Sequence, residues 1–182
     1  MITILRKTSC ALILTSMFVL GGCATNADVG QMVANYQPAH KLKNAALHNN
    51  INVAAVNGGH ETNPLWTSQI DNDGFKSALI QSLQQANLSS QLASAGYKLT
   101  ANLVKLHQPL LGLNLTVTAQ VHYNLQNQKT NKIVYDRDIT SSYTATFKDS
   151  ALAITRLKMA NEGAARENIS NLINDLYNLP AN

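Results

Sequence analysis

Leu113-Asn114-Leu115-Thr116-Val117-Thr118-Ala119-Gln120-Val121-His122-Tyr123-Asn124-Leu125-Gln126 alternates apolar and polar residues through seven repeats without a fault. Successive strand side chains point to opposite faces, so the pattern predicts a long strand with one face on a core. The other face meets water or a partner. A polar loop at Asn127 to Asn131 turns the chain, and Ile133 to Phe147 returns as the next strand. Each strand is expected to run about 15 residues against a usual 5–6, so the hairpin tip should project past the helices.

The rest of the domain reads outward from this hairpin. Tyr97, Leu99, Ala101 and Leu103 alternate with Lys98, Thr100 and Asn102, and Pro109 and Gly112 mark the break before the hairpin. Further upstream, Ile51 to Val56 is a short apolar stretch ended by Gly58-Gly59, a first strand. Between the two, Asp71 is a natural N-cap and Ile70 can staple onto Phe75. Phe75, Leu79, Ile80 and Leu83 then recur at helical spacing, and the helix fades near Asn87. After the hairpin, Asp149 is expected to cap a long helix reaching about Asn178. Its buried stripe is Ile154, Leu157, Ala160, Ala164, Ile169, Leu172, Ile173 and Leu176. The order β-α-β-β-β-α predicts an α+β fold, a four-stranded, largely antiparallel sheet with two helices packed on one face.

The N-terminus carries a different kind of information. Arg6 and Lys7 precede an apolar run from Cys10 to Leu20, too short for the ~20 residues of a spanning helix. The run closes on Leu20-Gly21-Gly22-Cys23, a lipobox-like close. Residues 1–22 therefore read as a lipoprotein signal peptide, cut between Gly22 and Cys23. Cys23 is the thiol that takes the diacylglyceryl group and, with palmitate-type acylation, the anchor. Residue 24 is alanine rather than aspartate, the pattern that goes with transfer to the outer membrane, on its periplasmic face. Residues 23–49 read as lipidated N-terminus and flexible tether, with room for a short helix around Val29 to Tyr36, and 50–179 as a single α+β domain.

Composition limits the function classes. The 182 residues hold 14 Lys and Arg against 10 Asp and Glu; losing Arg6 and Lys7 leaves 12 against 10. Those charges do not cluster, so no basic patch suited to nucleic acid is present. Loss of Cys10 with the signal and use of Cys23 by lipid leave no thiol for a disulfide or a metal. No nucleophile-elbow spacing and no glycine-rich phosphate loop occurs, so the chain is read as a non-enzyme without a cofactor.

Four groups of residues are candidates. On the polar face of the long strand, Gln120 and His122, with Thr118 and Asn124, form either a partner-reading surface or a solvated sheet face. His107 and His122 could meet across strands, but two histidines without a third ligand make no metal site. Asp136 and Asp138 lie on the outward face as solvated, edge-protecting charges. Arg137 falls on the core side, so either a bulge turns it outward or it pairs with Glu162 or Glu167 of the long helix and locks helix to sheet. The loop from Gly58 to Ser68 holds His60, Glu61, Pro64 and Trp66, the one tryptophan. It is either a recognition loop or the cover of the core's end.

The block Asn63-Pro64-Leu65-Trp66-Thr67-Ser68, with Phe75 to Leu83, Tyr97 to Leu103 and Glu162 to Ile169, resembles an uncharacterised group of Gram-negative outer-membrane lipoproteins. In element order and tether, the chain is more loosely similar to the lipopolysaccharide-assembly lipoprotein of the outer membrane. That resemblance implies a partner-binding or chaperone-like role. The expectation is a membrane-anchored binding or assembly accessory subunit whose partner is an envelope protein or a lipid. The alternative is a carrier holding a lipid or glycolipid between helices and sheet.

Overall fold

The long alternating stretch is the second-last strand of a single four-stranded sheet. The computed structural model describes residues 24–35, 37, 41–63, 68–92 and 94–181. The strands are β1 (Ile51–Asn57), β2 (Tyr97–His107), β3 (Leu115–Asn127) and β4 (Ile133–Ala145), in spatial order β1-β2-β3-β4. β2, β3 and β4 are antiparallel neighbours, whereas β1 runs parallel to β2. A parallel pair needs a crossover, and helix α2 (Asn72–Gln85) supplies it. Helix α3 (Ala153–Asn178) follows the hairpin. The α+β architecture and the largely antiparallel sheet are as expected.

Bulges explain the strands whose alternation is broken. β1 pairs Val53 with Leu99 but Ala55 with Thr100, leaving Ala54 as the extra residue. The slip returns Val56 to the buried face beside Ile51 and Val53. β2 does the same between Leu103 and Lys105, so that Val104 is exposed and Lys105 faces outward.

The core is the sheet's inner face packed on α2 and α3. Leu79, Leu83, Leu99, Val121, Tyr123, Leu125, Ile169, Leu172 and Ile173 are all fully buried. Polar pins fix the register of α3. Asn168 accepts from the Tyr123 hydroxyl at 2.9 Å and donates to the Ile139 and Ala119 carbonyls at 2.8 and 3.3 Å. Tyr177 donates to the Ala86 carbonyl at 2.7 Å. Further along, Gly163 lets α3 approach the Tyr143 ring so closely that a Cβ would collide with it.

Two expectations need correction. The reading of 23–49 as a flexible tether does not hold for its described residues. Met32 is fully buried, Ala24, Ala27, Val33, Ala34 and Leu47 are buried, and α1 (Val29–Met32) packs on α2 and α3. The Ala34 N–H bonds Ser82 Oγ at 2.9 Å, and the Asp28 N–H bonds Glu162 Oε1 at 2.8 Å. Secondly, Asp149 does not cap α3. Its carboxylate takes the Thr146 N–H and hydroxyl at 2.6 and 2.8 Å, bonds that lower its pKa, and the helix starts after Leu152. Asp71, by contrast, caps α2 through the Gly74 N–H at 2.7 Å. At the hairpin tip, the Gln128 N–H donates to the Gly96 carbonyl and its Nε2 to the Ala95 carbonyl, tying the turn to the start of β2. No helix among the described residues is long and apolar enough to cross a membrane.

Candidate functional site

With both helices on one face, the other face of β2, β3 and β4 is left uncovered, and its polar side chains pair with one another in rows. β3 and β4 place Thr116 opposite Thr144, Thr118 opposite Ser142, Gln120 opposite Thr140 and His122 opposite Asp138. The hydroxyls of Thr116 and Thr144 lie 2.8 Å apart, and those of Thr118 and Ser142 2.7 Å apart. Next along the strand, Gln120 Nε2 reaches Asp138 Oδ2 at 3.4 Å.

His122 is clamped. Its Nδ1 lies 2.8 Å from Asp138 Oδ1 and its Nε2 2.9 Å from Asp136 Oδ1. A neutral imidazole has one N–H and can donate to one aspartate; the imidazolium donates to both. The two aspartates thus hold the ring's orientation rather than merely guarding an edge. Beside Gln120, Lys105, His107, Thr118 and Thr140 line an open depression of ≈ 370 Å³. The surface offers donors, acceptors and both signs of charge in fixed positions, which suits polar recognition.

His107 and His122 are not brought together. His107 pairs with Thr118 and His122 with Asn102, so several residues separate them along the strands. Among the described residues, no group of three His, Cys, Asp or Glu is placed to hold a metal.

Arg137 pairs with neither Glu162 nor Glu167. Its Nη1 meets Asp175 Oδ2 at 3.5 Å, the same oxygen that accepts the Tyr135 hydroxyl at 2.7 Å. Burial, and then that bond, push the Tyr135 phenol well above its ordinary pKa. Glu162 instead serves the N-terminal segment, accepting the Asp28 N–H and lying 3.8 Å from Lys158. Burial raises its pKa, and those two contacts oppose the rise. Glu167 is exposed.

The remaining candidates are not part of the sheet face. His60 is exposed in the loop after β1, with its N–H on the Ile70 carbonyl at 3.0 Å. Among the described residues, no hydrogen bond or ion pair joins it to Gln120 or His122. Trp66 lies outside the described residues, as do Gly22 and Cys23 with the whole signal segment. The residues missed from sequence are Asp136 and Asp138 as orienting partners of His122, and Asp175 as the anchor of Arg137.

No family model matches this chain, and no curated protein does. Solved structures do share its fold. Protein XCC0632 from Xanthomonas campestris, of the DUF330 family, aligns with a TM-score of 0.56 at 13% identity, over 78% of this chain and 93% of that one. A candidate lipoprotein from Caulobacter crescentus gives 0.50 at 19% identity, over 73% and 92%. The PelC dodecamer from Paraburkholderia phytofirmans gives 0.50 at 13% identity, over 74% and 92%. At these identities the likeness is one of fold alone, and almost the full length of each of these structures is covered.

Proposed function

We propose that the chain is a lipid-anchored lipoprotein facing the periplasm from the outer membrane, acting there as a non-catalytic binding or assembly subunit. The anchor is Cys23, exposed by cleavage after Gly22. The observation that carries the reading is the uncovered outer face of β2, β3 and β4, with Gln120 and the clamped His122 at its centre. Fixed polar groups cost little to order on binding, so they favour a specific macromolecular partner. The fold's occurrence in a candidate lipoprotein supports the envelope setting. Since that PelC structure is a dodecamer, a second copy of this chain is the first partner to look for.

The carrier alternative gains less support. It needs room between helices and sheet, where the side chains are fully buried and Tyr143 already presses on Gly163. The test is capture of the crosslinked partner by full-length protein carrying Gln120→Ala with His122→Ala. Both side chains are partly exposed, so folding should be unaffected and capture should fall several-fold. Unchanged capture with an unchanged melting curve would remove the sheet face from the account. Replacing Trp66 with Ala tests the loop in the same assay.

A further inference from the structure

One end of the domain exposes five large apolar side chains: Leu110 at 95%, Leu111 at 90%, Leu113 at 72%, Phe147 at 53% and Leu152 at 56%. They belong to two connections, 108–114 between β2 and β3 and 146–152 between β4 and α3, which leave the sheet at the same end. A buried arginine ties the two together. Arg156 donates to the Ser150 and Ala151 carbonyls at 2.7 and 2.9 Å and to the Gly112 carbonyl at 3.3 Å. Its guanidinium carbon also sits 5.4 Å from the centre of the Phe147 ring. The leucines are therefore presented by a fixed pair of loops. The charged residues in the two loops are Lys148 and Asp149, and the Asp149 carboxylate is turned back onto Thr146.

The described chain starts at this same end. Ser68 Oγ donates to the Thr25 carbonyl at 2.9 Å, while the Ser68 carbonyl accepts both Gln108 Nε2 and Asn161 Nδ2 at 2.8 Å. Lys158 Nζ adds a bond to Thr25 Oγ1 at 3.0 Å. Thr25 and Gln108 thus share one buried serine as a neighbour. Cys23 is two residues from Thr25 and Leu110 two from Gln108, each at most ~7 Å of chain.

We infer that this end docks on the lipid bilayer, with Leu110, Leu111, Leu113, Phe147 and Leu152 entering the interface beside the acylated Cys23. The inference rests on the lipid anchor proposed above and adds a second, non-covalent membrane contact to it. An acyl chain at Cys23 brings Thr25, and with it the root of the leucine loop, to the headgroup level. Aliphatic side chains there leave water for the acyl boundary. The docked domain then stands with the β3–β4 turn at 128–132 away from the membrane, and the outer sheet face is held at a fixed angle instead of swinging on a tether.

The experiment uses the full-length acylated protein in vesicles of phosphatidylethanolamine and phosphatidylglycerol. An environment-sensitive fluorophore is attached in turn through Leu111→Cys, Phe147→Cys, Asn26→Cys and Thr130→Cys, and a lipid-borne nitroxide is the quencher. Labels at 26, 111 and 147 should be quenched several-fold more than the label at 130. Replacing Leu110 and Leu113 with Ser, side chains outside the core, should then lower quenching at 147. Quenching at 26 alone would overturn the docking while leaving the anchor intact. A blue-shifted label at 111 that ignores the quencher would show another protein copy there and overturn it too. No quenching at 26, 111 or 147 would remove the anchor and the docking together.

Discussion

Gly163→Ala should fail to stabilise the domain even though it improves the helix. In an exposed helix interior, exchanging glycine for alanine gains about 1 kcal/mol. Here the new methyl would stand 2.7 Å from Tyr143 Cδ2, and closer still to Cγ and Cδ1 of the same ring. The ring sits on β4, whose backbone is paired with β3 at Val117, so strand and helix cannot both yield freely. Overpacking of this kind costs about 1–3 kcal/mol, which cancels or exceeds the helical gain. The sharper measurement is a double-mutant cycle in urea, because it isolates the contact. With Tyr143→Ala already in place, Gly163→Ala should stabilise by about 1 kcal/mol, whereas in the parent it should be neutral or destabilising by up to about 2 kcal/mol. The coupling is then about 1–3 kcal/mol. Equal stabilisation in both backgrounds would refute the close approach, and would reopen the space that the carrier reading needs.

Three further outcomes follow from other contacts. Asn168→Leu removes three hydrogen bonds and strands the buried Tyr123 hydroxyl, at a cost of about 2–4 kcal/mol, seen as a lower urea midpoint with unchanged slope. Arg137→Ala should cost no more than about 1 kcal/mol, because the Arg137 side chain is largely exposed; Asp175→Ala should cost more, since Tyr135 also loses its acceptor. Glu162 carries a pKa raised by burial, so the folded state keeps its proton to higher pH than the unfolded chain. Its contribution is full below the ordinary carboxylate pKa and is lost as pH rises through the folded value. Glu162→Gln, which keeps an acceptor for the Asp28 N–H, should therefore gain on the parent in thermal melts as pH rises above the ordinary carboxylate range.

The sheet was legible because β3 states its own geometry: six apolar residues from Leu115 to Leu125 on one face and six polar residues from Thr116 to Gln126 on the other leave one register for the core, while Leu113 continues the pattern only in the exposed loop before the strand. The clamp was legible in principle as well. A hairpin turning at Asn127 to Asn131 pairs positions whose numbers sum to about 260, which sets His122 against Asp138 and Asn124 against Asp136. The partner of Arg137 was missed for want of a length comparison. A strand advances ~3.3 Å per residue and a helix ~1.5 Å, so eight residues back from the end of β4 correspond to about 18 residues into α3, near Asn171. Asp175 is close to that level, and Glu162 is two to three turns short of it. The N-terminal segment was misread for another reason. Ala27, Met32, Val33 and Leu47 make no periodic pattern, because a four-residue helix and isolated turns bury single side chains wherever the outside of α2 and α3 has room. Asp149 looked like a cap from its position alone, but a carboxylate three residues beyond Thr146 closes a turn equally well.

The central claim is that an acylated chain binds a partner through the outer face of its sheet. Native mass spectrometry of the full-length protein, taken from its own membranes after mild lysine crosslinking, tests both halves at once. The account predicts the acylated mass joined to a protein in fixed ratio, which includes a second copy of itself, with crosslinks on Lys98 and Lys105 of the outer face. The acylated chain alone, or a partner linked only through Lys41, Lys43 and Lys76 on the helical side, would contradict it.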